Sequence, residues 1–315
     1  MLGKRVVVAL GGNAILQPGQ KGTAEEQRAN VAVTARQIAQ MLQDGYEVVL
    51  THGNGPQVGA IMLQNEAGAD QVPSLPMDIC GAESQGMIGY LFQQALSNEM
   101  TLLGIPPRPV ATVVTQVVVG EDDPAFSRPS KPVGPFRSEA EAKARMAETG
   151  EVWIEDAGRG WRRVVASPEP LAVVEKDAIQ ALVEAGTVVI CSGGGGIPVF
   201  RKQDGTLMGA EAVIDKDLAA ECLAGEVGAD LFMILTDVPG VALHYRTPQE
   251  KWLEQVTVRE ALCYLEEGHF RAGSMEPKVK ACVRFVEAGG EVSIIAALDR
   301  VAQALAGNAG TRFTR

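Results

Sequence analysis

Arg5–Leu10 and Glu47–Thr51 are short apolar runs rich in β-branched residues, each reaching glycine within two residues, and a helix-like segment lies between them. The intervening Thr23-Ala24-Glu25-Glu26 has the spacing of a capping box, and Val31, Ala35, Ile38 and Leu42 recur at helical intervals until Gly45. This β-loop-α-β order within about fifty residues calls for parallel strands joined by right-handed crossovers, in a sheet covered on both faces. Further strands are expected at Val110–Val119, Thr187–Cys191, Leu231–Thr236 and Val292–Ala296. Three of the runs feed Gly-rich loops: Gly11-Gly12-Asn13, Gly53-Asn54-Gly55 and Gly193–Gly196. Ligands of open parallel sheets bind beyond the carboxyl ends of strands, so these loops are expected to converge.

Residues 121–163 break the pattern. Pro124, Pro129, Pro132 and Pro135 fall there, followed by a charged helix signal at Ser138–Glu148 and by Trp153 and Trp161. Proline-rich backbone is unsuited to a central strand, so the segment reads as an excursion from the sheet. The expected organisation is a main α/β domain from 1–120 and 164–315, with 121–163 a small protruding subdomain. The 315 residues allow a large core, and the formal charge of −11 disfavours nucleic acid and anionic membrane as partners. No apolar run approaches the roughly 20 residues that span a bilayer, and the expected location is the cytosol. The five cysteines are widely spaced, show no metal-binding pattern, and read as small buried hydrophobes; the three histidines form no ligand cluster.

The segment Thr51-His52-Gly53-Asn54-Gly55-Pro56-Gln57-Val58-Gly59 leads from a strand into a helix. Glycines there let the backbone approach a ligand, and the first N–H groups of the helix lack partners within it, a combination suited to an anion. Taken alone it could equally be a plain strand-to-helix turn. Lys131 lies among prolines, Lys216 between Asp215 and Asp217, and Lys278 behind Gly273-Ser274-Met275-Glu276-Pro277. Most lysines are merely solvated, as Lys280 is expected to be. Several lysines with Gly-rich amide loops nevertheless match what a transferring phosphoryl group demands, which is positioning and neutralisation of its oxygens, with an acidic residue to hold the lysines. Gly193–Gly196 runs into Ile197-Pro198 rather than Lys-Ser, so this is no Walker motif, and no GxGxxG with a ribose-binding acid is present.

Ala9-Leu10-Gly11-Gly12-Asn13-Ala14, Thr51–Gly59, Asp123-Pro124-Ala125-Phe126 with Lys131-Pro132, Val213-Ile214-Asp215-Lys216-Asp217 and Gly273-Ser274-Met275 with Pro277-Lys278 resemble, in order and spacing, the signature set of the carbamate kinases. Gly160–Val165 and Gly194–Val199 extend the resemblance over nearly the whole chain. It implies the amino acid kinase fold, a three-layer αβα sandwich around an eight-stranded, mostly parallel sheet, and a homodimer. It also implies carbamoyl phosphate or its phosphate held by Gly11, Gly12, Asn13, Gly53 and Asn54. Lys131, Lys216 and Lys278 would surround the phosphoryl group, with Asp217 as acidic organiser and Asp215 as a lesser candidate. ATP or ADP would lie near Gly194, Gly195, Thr236, Asp237, Tyr245, Met275 and Lys278, with Mg²⁺ carried mainly on nucleotide phosphates and no dedicated protein metal site.

Relatives with other substrates tend to carry a lysine where Ala9 stands, and the missing cation is expected from Lys131 or Lys216. Arg128 and Ser130 replace the usual Asn and Thr, and His244-Tyr245-Arg246-Thr247-Pro248 is a loose version of the family's stretch. Two rival readings are a kinase for another small acid or acyl phosphate, which Lys131 in its Pro-rich insert disfavours, and a nucleotide-sensing protein without catalysis, which the three retained lysines disfavour. Turnover with carbamoyl phosphate separates them.

Overall fold

The computed structural model describes residues 3–156 and 158–315. Eight strands form its central sheet, in the spatial order Gln255–Thr257, Thr311–Thr314, Val292–Ala297, Leu231–Thr236, Arg5–Leu10, Glu47–His52, Val188–Ile190 and Val110–Thr112. The last six run parallel, while Thr311–Thr314 opposes Val292–Ala297, so the polarity reverses only at one edge.

Successive side chains of a strand point to opposite faces. Val7, Ala9, Val49, Phe232 and Ile234 therefore enter one apolar cluster, with residues of the helices Lys176–Glu184, Lys216–Glu226, Val258–Glu266 and Met275–Glu287. Val6, Val8, Leu10, Leu50, Met233 and Leu235 enter the other, against Ala24–Gln43, Met77–Leu102 and Val301–Leu305. The result is the three-layer αβα sandwich. Burial on both faces is why these strands read as continuous apolar runs rather than as alternating ones.

Local signals in the first helix act as the sequence suggests. Thr23 Oγ1 accepts from the Glu26 N–H at 3.2 Å and the Glu26 carboxylate accepts from the Thr23 N–H at 2.9 Å, closing the capping box. Val31, Ala35, Ile38 and Leu42 face the core. Gly45, at φ 91°, reverses the chain toward the next strand in a conformation that costs a residue with a Cβ more.

One strand differs from its sequence expectation. Val110–Val119 divides into Val110–Thr112, at the edge of the main sheet, and Gln116–Val118, which pairs with Ile197–Arg201 in a separate four-stranded sheet. The break falls where the Thr115 N–H donates to Gln85 Oε1 at 2.8 Å and its carbonyl accepts from Ile197 N. A side chain thus takes the ladder position and the strand changes sheets.

Lys131–Arg137, Trp161–Val165 and Val152–Glu155 form their own three-stranded antiparallel sheet, with the helix Glu139–Thr149 packed on it. Pro132 and Pro135 lie on Lys131–Arg137, an edge strand whose register shifts between Val133 and Arg137, where a missing N–H is tolerated. That strand packs against the helix Gly55–Gly68. Among the described residues no helix is long and apolar enough to cross a membrane. All five cysteines are free; Cys80, Cys191 and Cys282 are buried, whereas Cys222 is half-buried and Cys263 exposed.

Candidate active site

Parallel pairing sets Leu10 beside His52 and Leu10 beside Leu235, so the loops leaving these strands emerge side by side. The Gly11 N–H donates to Leu235 O at 2.9 Å and the Gly53 N–H to Leu10 O at 2.9 Å, which carries the sheet ladder one step into the loops. Gly53 lies so close to its neighbours that a methyl there would sit 3.3 Å from Gly12 N and 3.4 Å from Lys216 Cδ. After Gly53 comes the helix Gly55–Gly68, whose first turn holds Pro56, no acidic residue and no side-chain cap from Asn54. Its free N–H groups and dipole favour an anion. Asn54 instead donates through Nδ2 to Ser84 Oγ at 2.9 Å.

The third loop meets these two from the neighbouring strand. Gly194, Gly195 and Gly196 have φ of 69°, 97° and 81°, and side chains at the first two would overlap Asn54 and the Ile214 carbonyl respectively. Only glycine satisfies both the angle and the space. The chain then reaches the helix Lys216–Glu226, capped by Asp215, whose Oδ1 accepts from the Asp217 N–H at 2.9 Å.

Here the three lysines gather. Lys131 Nζ donates to Asp215 Oδ2 at 2.8 Å, Lys216 Nζ to Asp217 Oδ1 at 2.5 Å, and Lys278 Nζ to Asp217 Oδ2 at 2.9 Å. Three ammonium groups face two carboxylates, so the cluster is short of one negative charge. Asp217 is 2% exposed and the three lysine side chains are mostly buried. A charge excess largely shielded from water beside free backbone N–H groups is a site for a small multiply charged anion.

Of the other sequence candidates, Thr236 and Asp237 lie at the carboxyl end of Leu231–Thr236, bonded to each other at 3.1 Å, and the Asp237 charge acts on Lys278. Met275 opens the helix that carries Lys278. Tyr245 sits apart from the lysine contacts, on the turn after Val241–Leu243, where its ring meets Trp252 edge-on and the Arg246 guanidinium lies over it.

Residues 4–297 match the Amino acid kinase family. The carbamate kinase of Thermococcus kodakarensis is 60% identical over 315 residues, covering 99% of each chain, and that of Pyrococcus furiosus is 57% identical over 99% of each. The structure of the Giardia lamblia carbamate kinase bound to AMP-PNP superposes with a TM-score of 0.94 at 48% identity, covering 99% of this chain and 98% of that one. The chain belongs to the amino acid kinase family, among its carbamate kinases.

In this member of the family, burial sets the protonation states and the lysines then correct them. Burial alone would raise the Asp217 carboxyl, but the facing Lys216 and Lys278 outweigh it and hold it at about 2. For Lys278 burial is likewise the largest influence, opposed by Asp217, Asp215 and Asp237, and the balance lies above the ordinary lysine value. Lys216 goes the other way: burial dominates, Lys278 adds repulsion, and its ammonium is held below the ordinary value despite Asp217. The cluster therefore keeps Asp217 ionised throughout the physiological range.

Sequence reasoning missed the residues that hold the loops from behind. Gln85 donates through Nε2 to Thr115 O at 3.2 Å and Gly193 O at 3.1 Å, and Thr51 Oγ1 donates to Ser192 O at 2.9 Å. Ser192 adopts φ 50° with its N–H bonded to Thr115 Oγ1. A buried glutamine beside a buried serine in a mostly apolar helix stripe was the available signal, and it is faint.

His52 is 1% exposed, and burial, reinforced by the Lys216 charge and opposed by its bond to Gly53 O, pushes its imidazole down to about 4 from 6.5. As pH falls through 6.5 the unfolded chain takes up this proton and the folded chain does not until about 4. Folding should therefore lose on the order of 3 kcal/mol across that window, with nothing further from this group below it. Urea unfolding at about pH 7 and about pH 4.5 checks this, since His52→Phe should show a shallower loss than the parent. Parallel losses in the two proteins would refute it.

Proposed function

We propose that this protein transfers a phosphoryl group between carbamoyl phosphate and ADP, giving ATP and carbamate, with the reverse direction open. The observation that carries the reading is the lysine triad: Lys131, Lys216 and Lys278 on Asp215 and Asp217, at the meeting of three glycine loops. An oxygen of the ADP β-phosphate attacks phosphorus in line, the bond from phosphorus to the carbamoyl oxygen breaks, and carbamate leaves with that electron pair. No covalent enzyme intermediate and no general base are required, because both the nucleophile and the leaving group are already anionic. What the protein supplies is position and charge.

In this reading Gly11, Gly12, Asn13, Gly53 and Asn54 hold the carbamoyl phosphate end; the Gly11 and Gly53 N–H groups already bond Leu235 O and Leu10 O, so these two contribute close backbone approach rather than donors. Gly194, Gly195, Thr236, Asp237, Tyr245 and Met275 bind nucleotide, and Lys278 reaches its phosphates. Lys131 and Lys216 neutralise the transferring group, Asp217 orients Lys216 and Lys278, and Asp215 orients Lys131. Ala9 is fully buried in the apolar layer beneath the helix Lys216–Glu226, so the cation that relatives place there has to come from elsewhere. Mg²⁺ would arrive on the nucleotide phosphates. Among the described residues no group of three or more His, Cys, Asp or Glu is arranged to hold a metal, and Asp215 and Asp217 are engaged by lysines, a donor set suited to a metal borne by substrate.

The subdomain 121–163 would act as a cover that delivers Lys131. It meets the body through the packing of Lys131–Arg137 on the helix Gly55–Gly68, through Phe126 against Phe200, and through ion pairs, Arg137 with Glu66 at 2.5 Å and Arg163 with Glu211, on partly exposed side chains. The ion pairs contribute little to that contact. The amino-terminal half would hold the carbamoyl phosphate site and the carboxy-terminal half the nucleotide site, in a cytosolic homodimer.

The decisive assay is ATP formation from ADP and Mg²⁺ across a panel of phosphate donors. Carbamoyl phosphate should be used best and acetyl phosphate less well. Strong preference for another acyl phosphate, or no ATP from folded protein, would sink the assignment.

A further inference from the structure

His52 ends its strand directly before Gly53 and has no part in the phosphate binding proposed above. Its ring is buried, stacked on Phe92 at 6.3 Å between centroids and 20° between planes, and its Nδ1 lies 3.0 Å from Gly53 O. With the Nδ1 proton in place, the imidazole donates to that carbonyl and fixes the Gly53–Asn54 peptide plane. On the other side, the ring occupies the space that a side chain at Gly193 would need: a Cβ there would overlap Cε1 and Nε2. Two residues on, the Asn54 side chain fills the corresponding space above Gly194. Residues 52 and 54 thus dock as two pegs into the bare backbone of the neighbouring loop, with Gly53 between them against Gly12 and Lys216.

We propose that His52 is a positioning residue that locks the Gly53–Gly55 loop to the Gly193–Gly196 loop, so that the donor phosphate and the nucleotide are held at one fixed separation. The inference rests on the proposed phosphoryl transfer, in which those two loops hold the two substrates. In-line transfer is sensitive to that separation, since a misplacement of about 1 Å can cost about 10²-fold in rate. Each loop by itself still forms its own turn and keeps its own affinity, although its hydrogen bonds open more readily without the lock. The loss expected on removing the lock therefore falls on kcat and not on KM.

The test uses the full-length protein, with Leu96→Ala as a stability control, because Leu96 is fully buried in the same apolar layer as Phe92 and far in sequence from either loop. His52→Leu should lower kcat about tenfold or more while KM for ADP and for carbamoyl phosphate stays within about twofold. His52→Asn, which keeps a donor near the Nδ1 position, should recover part of that loss. Hydrogen exchange gives a readout independent of turnover: in His52→Leu the Gly195 and Gly196 amides, bonded to Ser192 O and Gly193 O in the parent, should exchange faster, and in Leu96→Ala they should not. If His52→Leu does not fold, His52→Asn carries the same comparisons. Should His52→Leu match Leu96→Ala in both kcat and exchange, the histidine is ordinary core and the inference is overturned. Should the parent make no ATP while the exchange difference persists, the coupling stands and the functional reading falls.

Discussion

Replacing Asp217 by asparagine should lower turnover by about 10²-fold or more, the range found when a preorganised electrostatic group is lost. Its carboxylate is the shared acceptor of Lys216 and Lys278, each within 2.9 Å, and it is held at about 2, so the asparagine removes a full charge at any working pH. The amide can still accept a hydrogen bond, but it also presents an NH₂ that both ammonium groups repel, and the lysine geometry spreads. Breaking a buried ion pair from one side costs about 3–5 kcal/mol, so the variant should also melt earlier than the parent. The surplus positive charge should make inorganic phosphate a stronger stabiliser of the variant than of the parent, an effect that thermal melts with and without phosphate measure. An unchanged kcat would remove Asp217 from the site and turn attention to Asp215.

Lys131→Ala should reduce carbamoyl phosphate turnover by about 10²–10³-fold while ADP affinity stays nearly intact. Lys131 is the one member of the triad that reaches the cluster from outside the αβα layers, from an edge strand, and its side chain is 28% exposed against 15–16% for the other two. Its pair with Asp215 is partly solvated, so losing it should cost about 1 kcal/mol or less in stability. Activity and folding are therefore separable at this residue as they are not at Asp217. In the same preparation, protease sensitivity between residues 121 and 163 should fall when ADP and carbamoyl phosphate are both present, as expected of a cover that closes over its substrates. Near-normal turnover of the alanine variant, together with ligand-independent protection of that segment, would show that the subdomain does not act as a cover.

The sequence by itself determined the parts that obey short-range rules. Apolar runs marked the strands Arg5–Leu10, Glu47–His52 and Leu231–Thr236, Thr23 with Glu26 marked a helix start, and the three glycine loops and three lysines were legible as chemistry. Periodicity, capping and backbone freedom are properties of a few consecutive residues, so they survive without tertiary context. What only the tertiary structure decided is who faces whom. Lys131 meets Asp215 across 84 positions, Lys278 meets Asp217 across 61, and Gln85 meets Gly193 across 108. The division of Val110–Val119 at Thr115 and the burial of His52 behind Gly193 belong to the same class. These pairings follow from the order and register of a parallel sheet, in which Leu10 lies between His52 and Leu235, and from side chains that take hydrogen bonds the ladder would otherwise use. No local pattern encodes that order, because in a parallel sheet each strand reaches its neighbour only through a long crossover, and the partner is chosen by the packing of both faces at once.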